Sequence, residues 1–404
     1  MSKELEGKRI VLGVTGSIAS YKAVYLASKL VQSGALVDVL MTESAIKFVS
    51  PLTFGGITHR SVFHGFEAEL GGSYIQHVEL ANDAEMFVVA PATANTIAKL
   101  AFGLADDVVS ATALASRARL VICPAMDGYM YENKATQENL EKLKIRGCII
   151  LGPEEGYLAS GLSAFGRLAD PDLIFGHICR LFGYNGDLSG YKIVVTAGGT
   201  IEPIDPVRFI SNRSTGKMGY AIAEAARDRG ASTLIVSAAT LMADPVGVTV
   251  EHVETADQMH AQVVRACENS DVLIMAAAVS DWRASNVAKN KLKKSDDVAF
   301  SFEVTRTPDI LTDIKRQNLI KVGFAAETED LESNARMKLE SKGLDLIAAN
   351  DVSNKDGGFA SDNNSVILID RNGGIEETGL ISKYAVGNRI LDRVLDFLSE
   401  NRLR

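Results

Sequence analysis

At 404 residues the chain exceeds the usual size of one domain, so two domains of somewhat under 200 residues are expected, each able to bury a core. A hydrophobic fraction of 47%, low aromatic content and 34 glycines suit a soluble α/β enzyme, and a net charge of −9 argues against nucleic acid as the main partner. Four scattered cysteines with no C-x-x-C pair argue against a disulfide framework and for a reduced, cytoplasmic protein; no apolar run nears the roughly 20 residues of a bilayer span, and no targeting segment is expected.

Arg9–Val14 reads as an apolar strand, Gly16–Ser20 as a tight turn and Tyr21–Ser33 as an amphipathic helix ended near Gly34. Val37–Met41, Met86–Ala90, Leu120–Cys123 and Cys148–Leu151 follow as short buried strands, and their alternation with helical stretches implies a mostly parallel sheet with helices on both faces. The glycine-rich polar run Gly183–Gly190 marks a boundary, giving domains 1–188 and 189–404. Beyond it a strand at Tyr191–Thr196 breaks at Gly198 and Gly199, with further strands at Ser232–Ser237, Val272–Met275, Val322–Phe324, Leu344–Ala348 and Ser365–Ile369 and a closing helix over Lys383–Ser399. Both halves read as doubly wound, Rossmann-like α/β domains.

The densest chemical signal is Ile201–Lys217, I-E-P-I-D-P-V-R-F-I-S-N-R-S-T-G-K, placed directly after that broken strand. A strand opening at two glycines exposes backbone N–H groups that can cradle phosphate with the help of a following helix N-terminus. Arg208, Asn212, Ser214 and Lys217 add donors within one short segment. Further on come A-A-A-V-S-D-W (Ala276–Trp282), K-L-K-K (Lys291–Lys294), T-P-D-I (Thr307–Ile310), G-F-A-A-E-T (Gly323–Thr328) and A-N-D-V (Ala349–Val352). Small residues at a strand end let a base or ribose approach the backbone, and Asp281 there can either accept hydrogen bonds from it or cap a following helix.

The run Ala197–Gly219 together with these motifs closely resembles phosphopantothenoylcysteine synthetase, the CTP-dependent half of the bifunctional coenzyme A biosynthesis proteins. The resemblance implies a ligase in which 4′-phosphopantothenate attacks the α-phosphate of CTP, releasing pyrophosphate, and cysteine's amine then opens the acyl-cytidylate with loss of CMP. It also implies that Lys291, Phe324, Lys338 and Lys342 contact CTP, the last two on one helical face, and that Ala276, Ala277, Ala278, Asp281, Thr307, Pro308, Asp309 and Ile310 border the nucleotide. Asn212 matches the asparagine linked to turnover of the intermediate. Arg208 would hold the phosphate or carboxylate of the acyl substrate, and Mg2+ would accompany the triphosphate.

The first half resembles the flavoprotein phosphopantothenoylcysteine decarboxylase, which implies a flavodoxin-like fold. Gly13–Tyr21 lacks the dinucleotide G-x-G-x-x-G spacing and looks instead like that family's FMN phosphate turn, with Gly16 and Ser17 in it. Thr42, Ser44, Ala94, Asn95 and Thr112 complete the implied flavin pocket, and His77 in Y-I-Q-H-V-E-L corresponds to the family's essential histidine. By that resemblance flavin-dependent oxidation of the cysteine side chain precedes loss of the carboxylate, and the same flavin then restores the reduced thiol.

Two departures stand out. P-A-M-D-G-Y-M-Y (Pro124–Tyr131) has Asp127 where the commoner form has asparagine, and an ionised carboxylate repels a substrate carboxylate that an amide would hold. The flap Gly152–Arg167 has Ser160 where better-known members carry a proton-donating cysteine, which leaves Ser160 through water, Tyr157 or Glu155 as the donor, or a slow reductive half. An active synthetase fused to a non-catalytic or divergent flavin domain is the alternative, and a two-domain nicotinamide oxidoreductase ranks last. The resemblance implies a homo-oligomer, a dodecamer if trimeric and dimeric domains are fused.

Overall fold

The structure is a computed structural model that describes residues 5–65, 76–239, 241–293, 301–327, 330–351, 358 and 360–403. Lys294, Thr328 and Val352, and Tyr74 and Ile75 beside His77, lie outside the described residues. The chain separates into two compact units, residues 3–179 and 180–404.

In the first unit six parallel strands lie side by side in the order Val62–Phe63, Leu36–Met41, Arg9–Val14, Met86–Ala92, Arg119–Pro124 and Ile149–Ile150. All seven residues of Met86–Ala92 are buried, as a central parallel strand covered on both faces requires. The helix Ser20–Gln32 turns Ala23, Leu26, Ala27 and Leu30 inward at helical spacing. Val108–Ala115 packs from above, so closely that a Cβ on Gly13 would stand 2.9 Å from Val109 Cγ1. The strand order reverses between Arg9–Val14 and Met86–Ala92, and at such a switch point the carboxyl ends of the strands splay open as a crevice.

The second unit repeats the plan with eight strands, ordered Thr249–His252, Ser232–Ser237, Lys192–Ala197, Val272–Met275, Ile320–Glu327, Leu346–Asp351, Ile367–Asp370 and Ile375–Glu377. The last two are antiparallel additions to a parallel sheet. Helices Lys217–Asp228 and Lys383–Leu403 cover one face through Ile222, Ala223, Val386 and Ile390; Ala256–Cys267 and Leu331–Lys342 cover the other through Met259, Val263, Ala335 and Leu339. Thr249–His252 was not expected as a strand, because an edge strand reading T-V-E-H has no continuous apolar run to announce it. Among the described residues no helix is long and apolar enough to cross a membrane.

Candidate active sites

In the second unit Gly198 adopts φ +86°, and any Cβ on it would collide with the Ala238–Ala239 backbone, so glycine is required where the strand turns. The turn is tied to its neighbour across the switch point. Ala278 N–H donates to Gly198 O at 2.8 Å, Ala277 N–H to Thr196 Oγ1 at 3.0 Å and Ser280 N–H to Thr200 Oγ1 at 2.9 Å. A cavity of about 870 Å³ opens at these strand ends. Asn212, Ala276, Ala277, Ala278, Asp281, Thr307, Pro308, Asp309, Ile310, Phe324, Lys338 and Lys342 all line it. Arg208 and Lys291 do not; they lie together outside it, where Arg208 Nη2 donates to Leu292 O at 3.2 Å.

The side chains in the cavity are held. Asn212 Nδ2 donates to Val279 O at 3.0 Å, and Lys338 Nζ to Phe324 O at 2.7 Å. Thr307 Oγ1 donates to Ser280 O at 2.6 Å, pinning T-P-D-I to A-V-S-D. Asp309 caps the short helix Ile310–Asp313 and pairs with Lys342; burial pushes its carboxyl up, but Lys342 and the Thr312 donors outweigh that and hold it below the usual carboxylate range. A strand, Trp282–Ala284, follows Asp281, so this aspartate caps no helix and is left exposed at the cavity mouth. Sequence reasoning missed Lys383, which also lines the cavity. It is buried, donates to Gly358 O at 3.3 Å and to Ser361 O, and its pKa is lowered to about 8 by burial and by Lys217, against the pull of Asp362. No motif surrounds it, and only the fold brings this first residue of the last helix to the strand ends.

In the first unit Gly16 and Ser17, Thr42 and Ser44, and Ala94 and Asn95 follow three neighbouring strands at the switch point. Thr15 Oγ1 donates to Pro91 O at 2.8 Å and accepts from Thr93 N–H at 3.0 Å, lacing the first and third of these loops. A Cβ on Gly16 would overlap Ser44 Cβ, so the first and second loops close to a spacing that only glycine permits. Thr112 is different: it is fully buried and its hydroxyl donates at 2.7 Å to Val108 O of its own helix. His77 sits half-buried in the first turn of Gln76–Asp83, a helix that packs on Val108–Ala115.

Asp127 caps the helix Gly128–Glu132, its Oδ1 accepting from Tyr129 N–H at 3.1 Å. The flap is a hairpin of Glu154–Tyr157 and Ser163–Arg167 whose base rests on that segment: Met126 N–H donates to Gly166 O at 2.9 Å, and a Cβ on Gly128 would stand 2.8 Å from Ala164 Cβ. Ser160 is exposed at its tip, with Tyr157 and Glu155 exposed beside it. A separate cavity of about 330 Å³ lies at the opposite, amino ends of the strands beside Arg119 and Cys148, and takes in none of these residues.

Residues 1–183 match the family model described as flavoprotein, and residues 188–398 the one described as DNA/pantothenate metabolism flavoprotein C-terminal domain. The coenzyme A biosynthesis bifunctional protein CoaBC of Bacillus subtilis (strain 168) is 43% identical over 395 residues, covering 96% of this chain and 97% of that protein. The chain belongs to the CoaBC family. The CoaBC of Escherichia coli (strain K12) is 40% identical over 405 residues, covering 99% of this chain and all of that protein. A crystal structure of the C-terminal domain of a CoaBC is 37% identical, covering 53% of this chain and 99% of that one, with a TM-score of 0.46.

Proposed function

We propose that the 180–404 unit joins 4′-phosphopantothenate to cysteine with CTP in the 870 Å³ cavity, and that the 3–179 unit decarboxylates the product at its switch-point crevice. As a CoaBC family member the chain is a bifunctional enzyme of coenzyme A biosynthesis, a carboxy-lyase and an acid–amino-acid ligase acting on small molecules. One observation carries the assignment of the ligase site: the residues expected at the nucleotide, apart from Lys291, arrive from four separate segments and line a single cavity.

A carboxylate cannot condense with an amine directly, because oxide is a poor leaving group. Activation by CTP replaces it with CMP. In this reading the alanines Ala276–Ala278 admit the nucleotide against bare backbone, and Lys338 and Lys342 meet its phosphates with Mg2+ as counterion. Asn212 donates its amide to the oxygen that gains charge as the amine adds, and Arg208 and Lys291 hold anionic groups of the substrates.

The three loops at the first switch point suit FMN: Ser17, Thr42 and Ser44 bring hydroxyls to the carboxyl ends of neighbouring strands, and Gly16 lets the first two loops approach closely. FMN supplies there the reversible redox step that makes loss of the carboxylate feasible. Of this chain's own groups, His77 assists deprotonation of the substrate thiol, and Ser160 or its hairpin neighbours return a proton. Asp127 stands where the substrate carboxylate would bind. The enzyme is read as a cytoplasmic homo-oligomer.

The test is a paired assay of the purified protein with 4′-phosphopantothenate, cysteine, CTP and Mg2+, following CMP and carbon dioxide together. Both products are expected. CMP without carbon dioxide would leave a ligase fused to a silent flavin domain, and no CMP with either CTP or ATP would overturn the ligase reading.

A further inference from the structure

Arg208 and Lys291 stand outside the cavity, in two irregular segments, and what ties those segments together is a buried carboxylate. Asp205 is 3% exposed. Its Oδ1 accepts from Val207 N–H at 2.8 Å and Arg208 N–H at 2.9 Å, which fixes the turn that presents Arg208. Its Oδ2 accepts from Leu292 N–H at 3.1 Å, 87 residues further along the chain, and lies 3.5 Å from Arg208 Nη1. Arg208 closes the loop by donating from Nη2 to Leu292 O at 3.2 Å, and Ala288 N–H donates to Ile204 O at 3.0 Å. Burial pushes the carboxyl up, yet the backbone donors and Arg208 prevail and hold it below the usual range, so it is ionised at neutral pH.

We propose that Asp205 is a positioning residue of the ligase: one carboxylate oxygen sets the Arg208 turn, and the other docks the Lys291 segment onto it through the Leu292 amide. The inference rests on the reading that Lys291 and Arg208 hold substrate groups. Arg208 closes the hairpin of Ile201–Pro203 and Phe209–Ser211, its carbonyl accepting from Ile204 N–H at 2.8 Å, whereas Lys291 lies in a segment that forms no strand from Ser285 through Lys293. Without the Oδ2 contact the Lys291 segment keeps only the Arg208–Leu292 O and Ala288–Ile204 O bonds, and ordering Lys291 again would weaken substrate binding. Both oxygens are needed. An asparagine can direct its single oxygen at the turn, but its NH2 then faces the Leu292 N–H and the Arg208 guanidinium, donor against donor.

Asp205→Asn therefore spares the turn and releases the Lys291 segment. On the full chain, CMP formation is measured for D205N, Lys291→Ala and the double variant against CTP and 4′-phosphopantothenate, with amide exchange at Leu292 and Tm alongside. The loss of a buried charge-assisted hydrogen bond is expected to raise one of the KM values on the order of tenfold, with a smaller change in kcat. Leu292 exchange should quicken in D205N, and D205N should add nothing in the Lys291→Ala background. KM values within twofold of the parent, or effects of the two substitutions that multiply, would overturn the proposal. If Lys291→Ala itself leaves both KM values unchanged, the substrate reading of Lys291 is what fails, and Leu292 exchange decides the clamp: faster in D205N supports it, unchanged overturns it. Should D205N unfold the unit, Leu292→Pro removes the same donor with Asp205 intact and is expected to give the same KM shift.

Discussion

Gly199→Ala is the sharpest perturbation that the ligase site offers. Gly199 has no positive φ, so alanine suits its backbone, but a Cβ there would stand 2.7 Å from Asn212 O and 3.3 Å from Ser211 Oγ. The first distance falls 0.7 Å short of the 3.4 Å at which ordinary contact begins. Gly199 is the less free to retreat, because Gly198 and Thr200 on either side of it are bonded to Ala278 and Ser280. Asn212 must give way, and its hold on Val279 O with it. Displacements of about 1 Å at reacting groups cost on the order of 100-fold in rate. We therefore expect CMP formation to lose about 10- to 100-fold in kcat with the KM for CTP changed less than threefold, since the cavity's other walls stay put. Carbon dioxide release from supplied phosphopantothenoylcysteine serves as the control and should be unaltered. A kcat within twofold of the parent in a folded G199A protein would refute the placement of Asn212 at the reacting centre.

Asp127→Asn separates charge from structure, since asparagine caps a helix as well as aspartate does and the Tyr129 N–H bond is retained. Stability should stay within a few tenths of a kcal/mol, while removal of one like charge, worth about 1 kcal/mol, lowers the decarboxylase KM about fivefold; an unchanged KM in a carbon dioxide assay would remove Asp127 from the substrate's path. Lys383 gives a pH signature. Its pKa in the folded chain is about 8 against an ordinary 10.5, so between those values the unfolded chain holds a proton that the folded one lacks. The Lys383 contribution to stability is therefore flat below pH 8, rises with pH to 10.5, and is absent from Lys383→Met. CTP in the cavity favours the charged form, so binding near pH 9 should take up a proton, seen as a dependence of the calorimetric heat on buffer ionisation. No such dependence would place the triphosphate away from Lys383.

The sheets were legible because parallel strands buried on both faces leave unbroken apolar runs, as in Met86–Ala92 and Val272–Met275. Short pairings were not. Ile201–Pro203 and Phe209–Ser211 form a hairpin within what read as one polar loop, because three-residue strands with half-polar faces carry no period. Motifs named most of the cavity wall, since each is a contiguous run at a strand end. Lys383 and Asn364 escaped because each contributes one side chain from a segment whose own sequence serves the core. The Thr112 hydroxyl, expected at the flavin from the S-A-T-A-L-A run, donates within its own helix and keeps only its acceptor sites.

The lock between Gly166 and Met126 bears on traffic through the decarboxylase. Any side chain at position 166 would run into the Met126 carbonyl, and the Met126 N–H is already bonded there, so the base of the hairpin cannot swing as a door without tearing main chain from main chain. What can yield is the apex between Leu158 and Leu162, closed by two backbone bonds, Leu158 N–H to Leu162 O at 2.8 Å and Gly161 N–H to Leu158 O at 2.9 Å, with Gly161 at φ +88°. Opening there would rearrange a few residues and leave the base of the hairpin in place.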